Sequence, residues 1–334
     1  MKKLWIVWML TVPAASGQDL PSDEVKGAED TVATFSIVAR DPATGELGIA
    51  VQSRAFRAGR TVPYGKPGVG MIASQAGAAR TPYGGKGMEM LEAGLSPEKI
   101  IERLTKPDEG RDVRQVAVID NQGRVKAYTG VGCGEWAGHI EGDQFSVQGN
   151  ILAGEEVVRA MARTFETTKG ELAERLMAVL EAGQAAGGDA RGMQAGAIWV
   201  MEPYHPSHET EGSDRYRGVD IRVDDSPNPL KELRRLLNIT LAGRHSRMSR
   251  RLAEEGKFRE AIEAQEKARS LNPADNVVYG LAQRYAQAGG AAKAIEALAE
   301  AIARNPRWKA LAARNVAFDK IKDHRDFKKL VQED

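Results

Sequence analysis

Five histidines and one cysteine are all the imidazole and thiol in 334 residues, which closes most routes to a nucleophile or a metal centre. The chain has no Gly-x-Ser-x-Gly elbow, no His-Glu-x-x-His, no phosphate loop ending in Gly-Lys-Ser/Thr and no dinucleotide fingerprint after a strand. His205 and His208 sit in a polar, proline-bearing loop that gives no reason to expect a metal, so neither metal nor cofactor is expected. A lone Cys133 rules out an intrachain disulfide and a thiolate cluster, and reads as a small buried hydrophobe. A chain this short of histidine can still obtain a base by freeing an α-amino group, whose pKa of roughly 7.7 to 8.0 suits neutral pH. That amine activates a hydroxyl on its own residue, provided the residue comes first, starts a strand and faces backbone amides that stabilise an oxyanion. Thr34, opposite a small-residue turn at Gln75-Ala-Gly-Ala78, meets this demand. By pattern alone, a threonine at a strand start is ordinarily structural.

The elements that must position Thr34 are legible around it. Phe35, Ile37 and Ala39 alternate with Ser36, Val38 and Arg40, and Leu47, Ile49 and Val51 alternate with Gly48 and Ala50. Both runs have the two-residue period of a strand, and Pro42-Ala-Thr-Gly-Glu46 supplies the turn. The hairpin sets Thr34 opposite a position within a residue or two of Ser53, with Gln52 and Arg54 at the same end. Val69 to Ala76 reads as a third strand. Helices are expected over Tyr83 to Ala93 and Pro97 to Lys106, the second capped by Ser96. Val113 to Asp120 and Val125 to Gly130 flank Asn121-Gln-Gly as a second hairpin. Helices at Glu155 to Thr167 and Lys169 to Glu181, and strands at Met193 to Met201 and Val219 to Val223, complete this part. The Arg222-Val-Asp-Asp225 stretch reads as a solvated or structural strand edge.

Composition narrows the partners. With 47 basic against 46 acidic residues the net charge is +1, so no broad basic field exists to attract nucleic acid. Lys2 and Lys3, the apolar run Leu4 to Leu10 and Pro13-Ala-Ala-Ser-Gly17 follow the order of a secretory signal, too short to anchor in a bilayer. The expectation is an exported protein, periplasmic or extracellular, with residues 1–17 as signal peptide and no membrane association after its removal. The acidic stretch 18–33 reads as a linker or propeptide.

Several motifs together resemble a known family. They are Thr34-Phe-Ser-Ile-Val-Ala-Arg-Asp41, Ala50-Val-Gln-Ser-Arg54, Gly68 to Gln75, Val113 to Asp120, Ala137-Gly-His139, Phe145 to Asn150, Ala182 to Gln194 and Leu230 to Leu237. Spread over about 200 residues, they are similar to the domain-of-unknown-function 1028 family. That resemblance implies an N-terminal-nucleophile hydrolase fold, a four-layer αββα sandwich. The opening also resembles proteasome β-subunits, in which a strand-initial threonine is followed by Ser-Arg on the second strand and by a small-residue oxyanion turn. The resemblance thus implies Thr34 as nucleophile with its own amine as base, Ser53 and Arg54 at the second-strand site, and Ala76 and Gly77 as the oxyanion hole. Gln52 stands where the proteasome pattern has an acid, and the nearest lysine, Lys66, lies in an expected loop. Asp189 and Arg191 read as charged groups held near a substrate, or as an ion pair fastening their loop. Gln148 and Asn150 offer amides to a substrate, or cap the helix that follows.

Beyond about residue 240 the chain becomes rich in Ala, Glu, Lys and Arg at helical spacing. Gly256, Ala261, Ile262, Ala268 and Asn272-Pro273 recur 33 residues later as Gly289, Ala294, Ile295, Ala301 and Asn305-Pro306. This resembles the tetratricopeptide repeat, with Trp308 to Val331 as a diverged capping pair. The overall expectation is an α+β fold in residues 34–240 followed by an all-α helical repeat domain in 241–334. The leading functional expectation is an amidohydrolase that cleaves a small amide or peptide-like substrate through an acyl-enzyme on Thr34. The alternative is a non-catalytic binding or scaffold protein whose repeats hold a peptide or protein partner. A homo-oligomer is compatible with either.

Overall fold

The structure is a computed structural model describing residues 34–77, 81–203 and 217–332. The expected signal peptide, the 18–33 stretch, Ala78, His205 and His208 lie outside the described residues. Among the described residues ten strands form two antiparallel sheets: β1 (Thr34–Arg40), β2 (Leu47–Ser53), β3 (Pro63–Lys66), β4 (Gly70–Ala76), β5 (Arg114–Asp120), β6 (Val125–Thr129), β7 (Ala137–Gly142), β8 (Phe145–Asn150), β9 (Ala195–Met201) and β10 (Arg217–Val223). The six-stranded sheet has the order β10-β9-β2-β1-β8-β7, and the four-stranded sheet β3-β4-β5-β6. The first hairpin pairs Thr34 with Ser53, as its spacing predicts.

The helices of this part are α1 (Ala58–Thr61), α2 (Tyr83–Glu92), α3 (Pro97–Thr105), α4 (Glu156–Thr167) and α5 (Leu172–Ala185). Strand alternation divides the apolar residues between two faces. Phe35, Ile37, Phe145, Val147 and Ile198 turn from the six-stranded sheet toward α4 and α5. Val38, Ile49 and Val51 turn the other way and meet Met71, Ala73, Ala117 and Ile119 of the four-stranded sheet. Ile72, Val116 and Val118, on that sheet's outer face, pack on Met88, Leu91, Ile100 and Leu104 of α2 and α3. The central strands are covered on both faces, which accounts for their nearly continuous apolar runs.

Local expectations need correction in three places. Lys66 is not in a loop: it ends β3, pairs with Gly70, and its ammonium meets Glu92 at 2.7 Å in solvent. Ser96 occupies the N-cap position of α3, but its side chain makes no capping hydrogen bond. Asn150 ends β8, and α4 begins only at Glu156 with Glu155 at its N-cap, so neither Gln148 nor Asn150 caps that helix.

The C-terminal helical region comprises α6 (Pro229–Glu254), α7 (Phe258–Leu271), α8 (Asp275–Gln287), α9 (Ala291–Arg304), α10 (Arg307–Ala313) and α11 (Arg325–Val331). Asn228 starts α6 by accepting from the Lys231 amide at 3.2 Å, ahead of Pro229 in the first turn. The 33-residue recurrence is visible in the backbone: Gly256 and Gly289 end α6 and α8 at φ +76° and +83°, where glycine is favoured. Asn272 and Asn305 likewise end α7 and α9 in nearly the same extended conformation. Position 240 falls within the continuous α6, whose Leu230, Leu233, Leu237 and Leu241 belong to the same core as α4, α5 and the large sheet. Leu237→Ala should therefore cost about 3 kcal/mol by leaving a cavity in that shared core. The exposed Ile239→Ala should cost under about 1 kcal/mol in the same urea titration; equal losses would remove α6 from the core.

Candidate active site

Thr34 opens β1, the strand between β2 and β8 in the large sheet. Its neighbours in register are Ser53 and Asn150, and those residues pair in turn with Ala195 and Ala137. Thr34, Ser53 and Asn150 are each fully buried. The Thr34 hydroxyl donates to the Ser53 Oγ at 3.1 Å, while that oxygen also accepts the Ala55 amide at 3.0 Å. Two hydroxyls and an amide therefore share one row at the end of the sheet. Gln52 pairs with Phe35 rather than Thr34 and, by strand alternation, turns to the helix-covered face. Its amide is buried, with neither Oε1 nor Nε2 partnered among the described residues.

Behind Thr34 lies a buried layer of amides and hydroxyls. Gln75 Nε2 donates to the Thr34 carbonyl at 3.3 Å and to Gln115 Oε1 at 2.8 Å. Gln75 Oε1 accepts the Ser36 hydroxyl at 2.6 Å, and Gln148 Nε2 donates to Ser36 Oγ at 2.7 Å. Gln115 Nε2 reaches Thr129 Oγ1 at 2.9 Å, the Gly149 carbonyl at 2.8 Å and the Gly138 carbonyl at 3.2 Å. Its two hydrogens are shared among three acceptors. The chain of contacts ends at Thr129 and His139 Nδ1, 2.8 Å apart, and burial pushes the His139 pKa down. Gln148 thus serves the layer one row behind Thr34, while Asn150 lies beside Thr34. Gln75, Gln115 and Ser36 were not singled out individually by the sequence reading, although all three fall within its motifs.

Gln75 also brings the end of β4 to Thr34, and the turn expected to hold an oxyanion follows it. Ala76 sits at φ +56°, a left-handed conformation that L-residues seldom adopt. The Gly77 carbonyl is held by Arg114 Nη1 at 3.0 Å, and a Cβ on Gly77 would meet the Val113 carbonyl at 2.6 Å. Arg114 is fixed in turn by Asp108, which accepts from its Nε at 3.0 Å and from the Tyr83 hydroxyl at 2.7 Å. The Tyr83 bond, then Arg114 and the Gly110 amide, hold the Asp108 carboxyl below its ordinary pKa, although partial burial opposes them. Burial and the adjacent Asp108 push the Tyr83 hydroxyl up. Lys66 pairs with the opposite end of β4, roughly 17 Å along the strand from Gln75 by strand rise.

On the other side, residues 189–194 close against the ends of β2 and β8. Asp189 is 2% exposed and accepts the Arg54 amide at 2.9 Å, the Arg191 amide at 2.9 Å and the Arg191 guanidinium. Arg54 reaches outward to Gln194 Oε1 at 2.9 Å, and the Gln194 amide donates to the Ser53 carbonyl. Thr34, Ser53, Asn150, Arg54, Asp189 and Arg191 are thus gathered at one end. Cys133 is buried with its thiol on the Arg114 carbonyl at 3.3 Å, and burial pushes its pKa up. Among the described residues no group of His, Cys, Asp or Glu is placed to hold a metal ion.

Fold and site define a class: a mixed α+β protein with a strand-initial threonine buried between two antiparallel sheets. The chain belongs to the family of unknown function DUF1028, whose model matches residues 34–233. A solved structure of the same family, protein SPO2555 from Silicibacter pomeroyi, is similar at 32% identity and a TM-score of 0.55, covering 61% of this chain and 88% of that one. No curated protein matches the chain.

Two predictions test this geometry. Gln115→Leu removes an acceptor from Gln75 and a donor from three oxygens, and should cost about 2 to 3 kcal/mol in urea unfolding; a neutral result would show that the layer contributes nothing net. Asp108, with its lowered folded pKa, stabilises fully above its ordinary value of about 3.9, and this stability is lost as pH falls through the folded value. The urea-midpoint gap between the parent and Asp108→Asn should be present at pH 7 and unchanged at pH 5, and should narrow as the pH falls below about 4. A constant gap would assign its effect to shape rather than charge.

Proposed function

We propose that this chain is an exported amidohydrolase of the N-terminal-nucleophile type and that its two sheets with their helices are the four-layer αββα sandwich of that class. The observation that carries the reading is Thr34 itself: the first residue of β1, its hydroxyl 3.1 Å from Ser53 Oγ, beside the strained turn after Gln75. Cleavage after Ala33 would turn the Thr34 amide into an amine. That amine takes the hydroxyl proton as Oγ1 attacks the substrate carbonyl carbon. Amides at Ala76 and Gly77 stabilise the oxyanion. As the C–N bond breaks, the leaving nitrogen takes the proton from the ammonium, which leaves an ester on Oγ1. Water hydrolyses the ester, with the amine again accepting and returning a proton. Ser53 orients the hydroxyl, and the Asp189–Arg191 pair with Asn150 contacts the substrate.

The helical tail is proposed to be a tetratricopeptide-like stack that holds a protein partner. A non-catalytic binding protein is the competing reading, and the mature amino terminus separates the two. The mass of protein recovered from an exporting host should correspond to a chain beginning at Thr34. A chain begun at Thr34 should hydrolyse amide substrates, Thr34→Ala should abolish turnover with the fold intact, and Thr34→Ser should retain part of it. A uniform Gln18 terminus with full activity would refute the mechanism.

A further inference from the structure

Most partly buried arginines of the C-terminal region face carboxylates. Arg244 meets Glu46, Glu171 and Glu202, and Arg234 meets Glu181. Arg284 on α8 does not. It is 7% exposed; its Nη1 donates to Gln287 Oε1 at 2.7 Å, and its Nε is buried with no partner among the described residues. Burial, and after it the charge of Arg250 on α6, push its pKa down, and Glu254 only partly offsets them. A buried cation beside a second cation is retained at a cost unless an anion completes the site.

Both arginines line a cavity of about 290 Å³ between α6, α7, α8 and α10. Asn276, Gln283, Tyr279 and Trp308 share the lining, and none of the lining residues is an Asp or Glu. Trp308 is held rigidly: its ring stacks on Tyr279 at 4.3 Å, and its Nε1 donates to Asp275 at 2.9 Å. The volume lies just below the range of small-molecule pockets and suits one inserted side chain. Asn276 and Gln283 carry amides that both donate and accept, which matches the polar groups of a peptide backbone.

We infer that this cavity is a binding site for an acidic peptide segment of a partner protein, with an aspartate or glutamate side chain inserted between Arg250 and Arg284. The inference rests on the partner-binding reading of the helical region and is independent of Thr34. The test is a titration of the full-length protein with an amide-capped Gly-Ser peptide carrying four glutamates, alongside its glutamine counterpart. The glutamate peptide should bind at least tenfold tighter, and added salt should weaken it. Arg250→Gln, at an exposed position that leaves folding intact, and Arg284→Gln, checked by circular dichroism, should each reduce glutamate-peptide binding about tenfold. Equal binding of the two peptides, or an undiminished Arg250→Gln protein, would overturn the acidic preference while leaving a peptide groove. No binding of either peptide would overturn both the preference and the groove.

Discussion

The constraint on which the rest depends is the buried amide layer between the two sheets. Ser36, Gln75, Gln115 and Gln148 are fully buried among apolar neighbours, and their hydrogen bonds are made to one another, to the Ser146 and Thr129 hydroxyls and to strand carbonyls. An unmet buried donor costs about 1 to 3 kcal/mol, so the layer tolerates only the arrangement that satisfies it. Apolar contact between sheets is forgiving of sliding; this layer is not. A one-residue slip of β1 would turn Ser36 and Thr34 to the helix side and leave Gln75 and Gln148 without their shared partner. The layer therefore fixes strand register, the seating of one sheet on the other and the position of Thr34.

Of the four non-glycine residues at positive φ among the described residues, three lie at the same end of the molecule as Thr34, and the fourth, Gln144, is in the β7–β8 turn at the other end. Arg57, Ala76 and Ile151 have φ of +57°, +56° and +52°; Ala76 is the last residue of β4, and the other two follow β2 and β8. Left-handed backbone costs an L-residue about 1 to 2 kcal/mol, and a β-branched residue such as Ile151 is the least suited to it. Each is held from outside: the Arg57 amide by the Asp224 carbonyl, the Ile151 carbonyl by the Ala190 amide, and the carbonyl of Gly77, next to Ala76, by Arg114. Strained positions persist where surrounding contacts over-determine them, and such sites cluster where ligands are met. The observation therefore favours this end of the sheets as the functional one, independently of any resemblance.

What could be read from the sequence follows the range of the interaction that makes each feature. The first hairpin was legible because its alternation and its Pro42-to-Glu46 turn are local, with Gly45 at φ +76° closing the turn. The helical repeats were legible because the glycines that end α6 and α8 recur at fixed spacing. β3 was missed: four residues containing Pro63 and Gly65 carry no alternation, and pairing along an edge supplies what propensity lacks. β7 and β8 show in the sequence only as motifs, since Gly138, Gly142 and Gly149 interrupt their alternation. The amide layer was invisible as a network because it joins β1 to β4, β5 and β8 across 34 to 112 residues of chain. A glutamine alternating with apolar residues has the pattern of a solvent-facing strand residue until the second sheet is known.

The long helix α6 links two parts that sequence alone separates. Its first half supplies leucines to the sheet core, and its second half carries Ser249 and Ala253, buried beneath α7. At the junction Arg244 reaches Glu46 at 3.3 Å, at the turn end of the β1–β2 hairpin, and His245 reaches Glu171 at 2.7 Å. The adjacent His245 imidazole holds the Glu171 carboxyl below its ordinary pKa, whereas burial outweighs Arg244 and raises Glu46. The helical region is thus tied to the end of the hairpin opposite Thr34, roughly 20 Å away along seven residues of β1. Helix α6 spans that distance as well: Leu230 and Leu233 at its start lie beside Gly196, which pairs with Gln52 next to Ser53, while Arg244 lies at the hairpin turn. The locked strand and the continuous helix are thus two rigid members joining opposite ends of one frame.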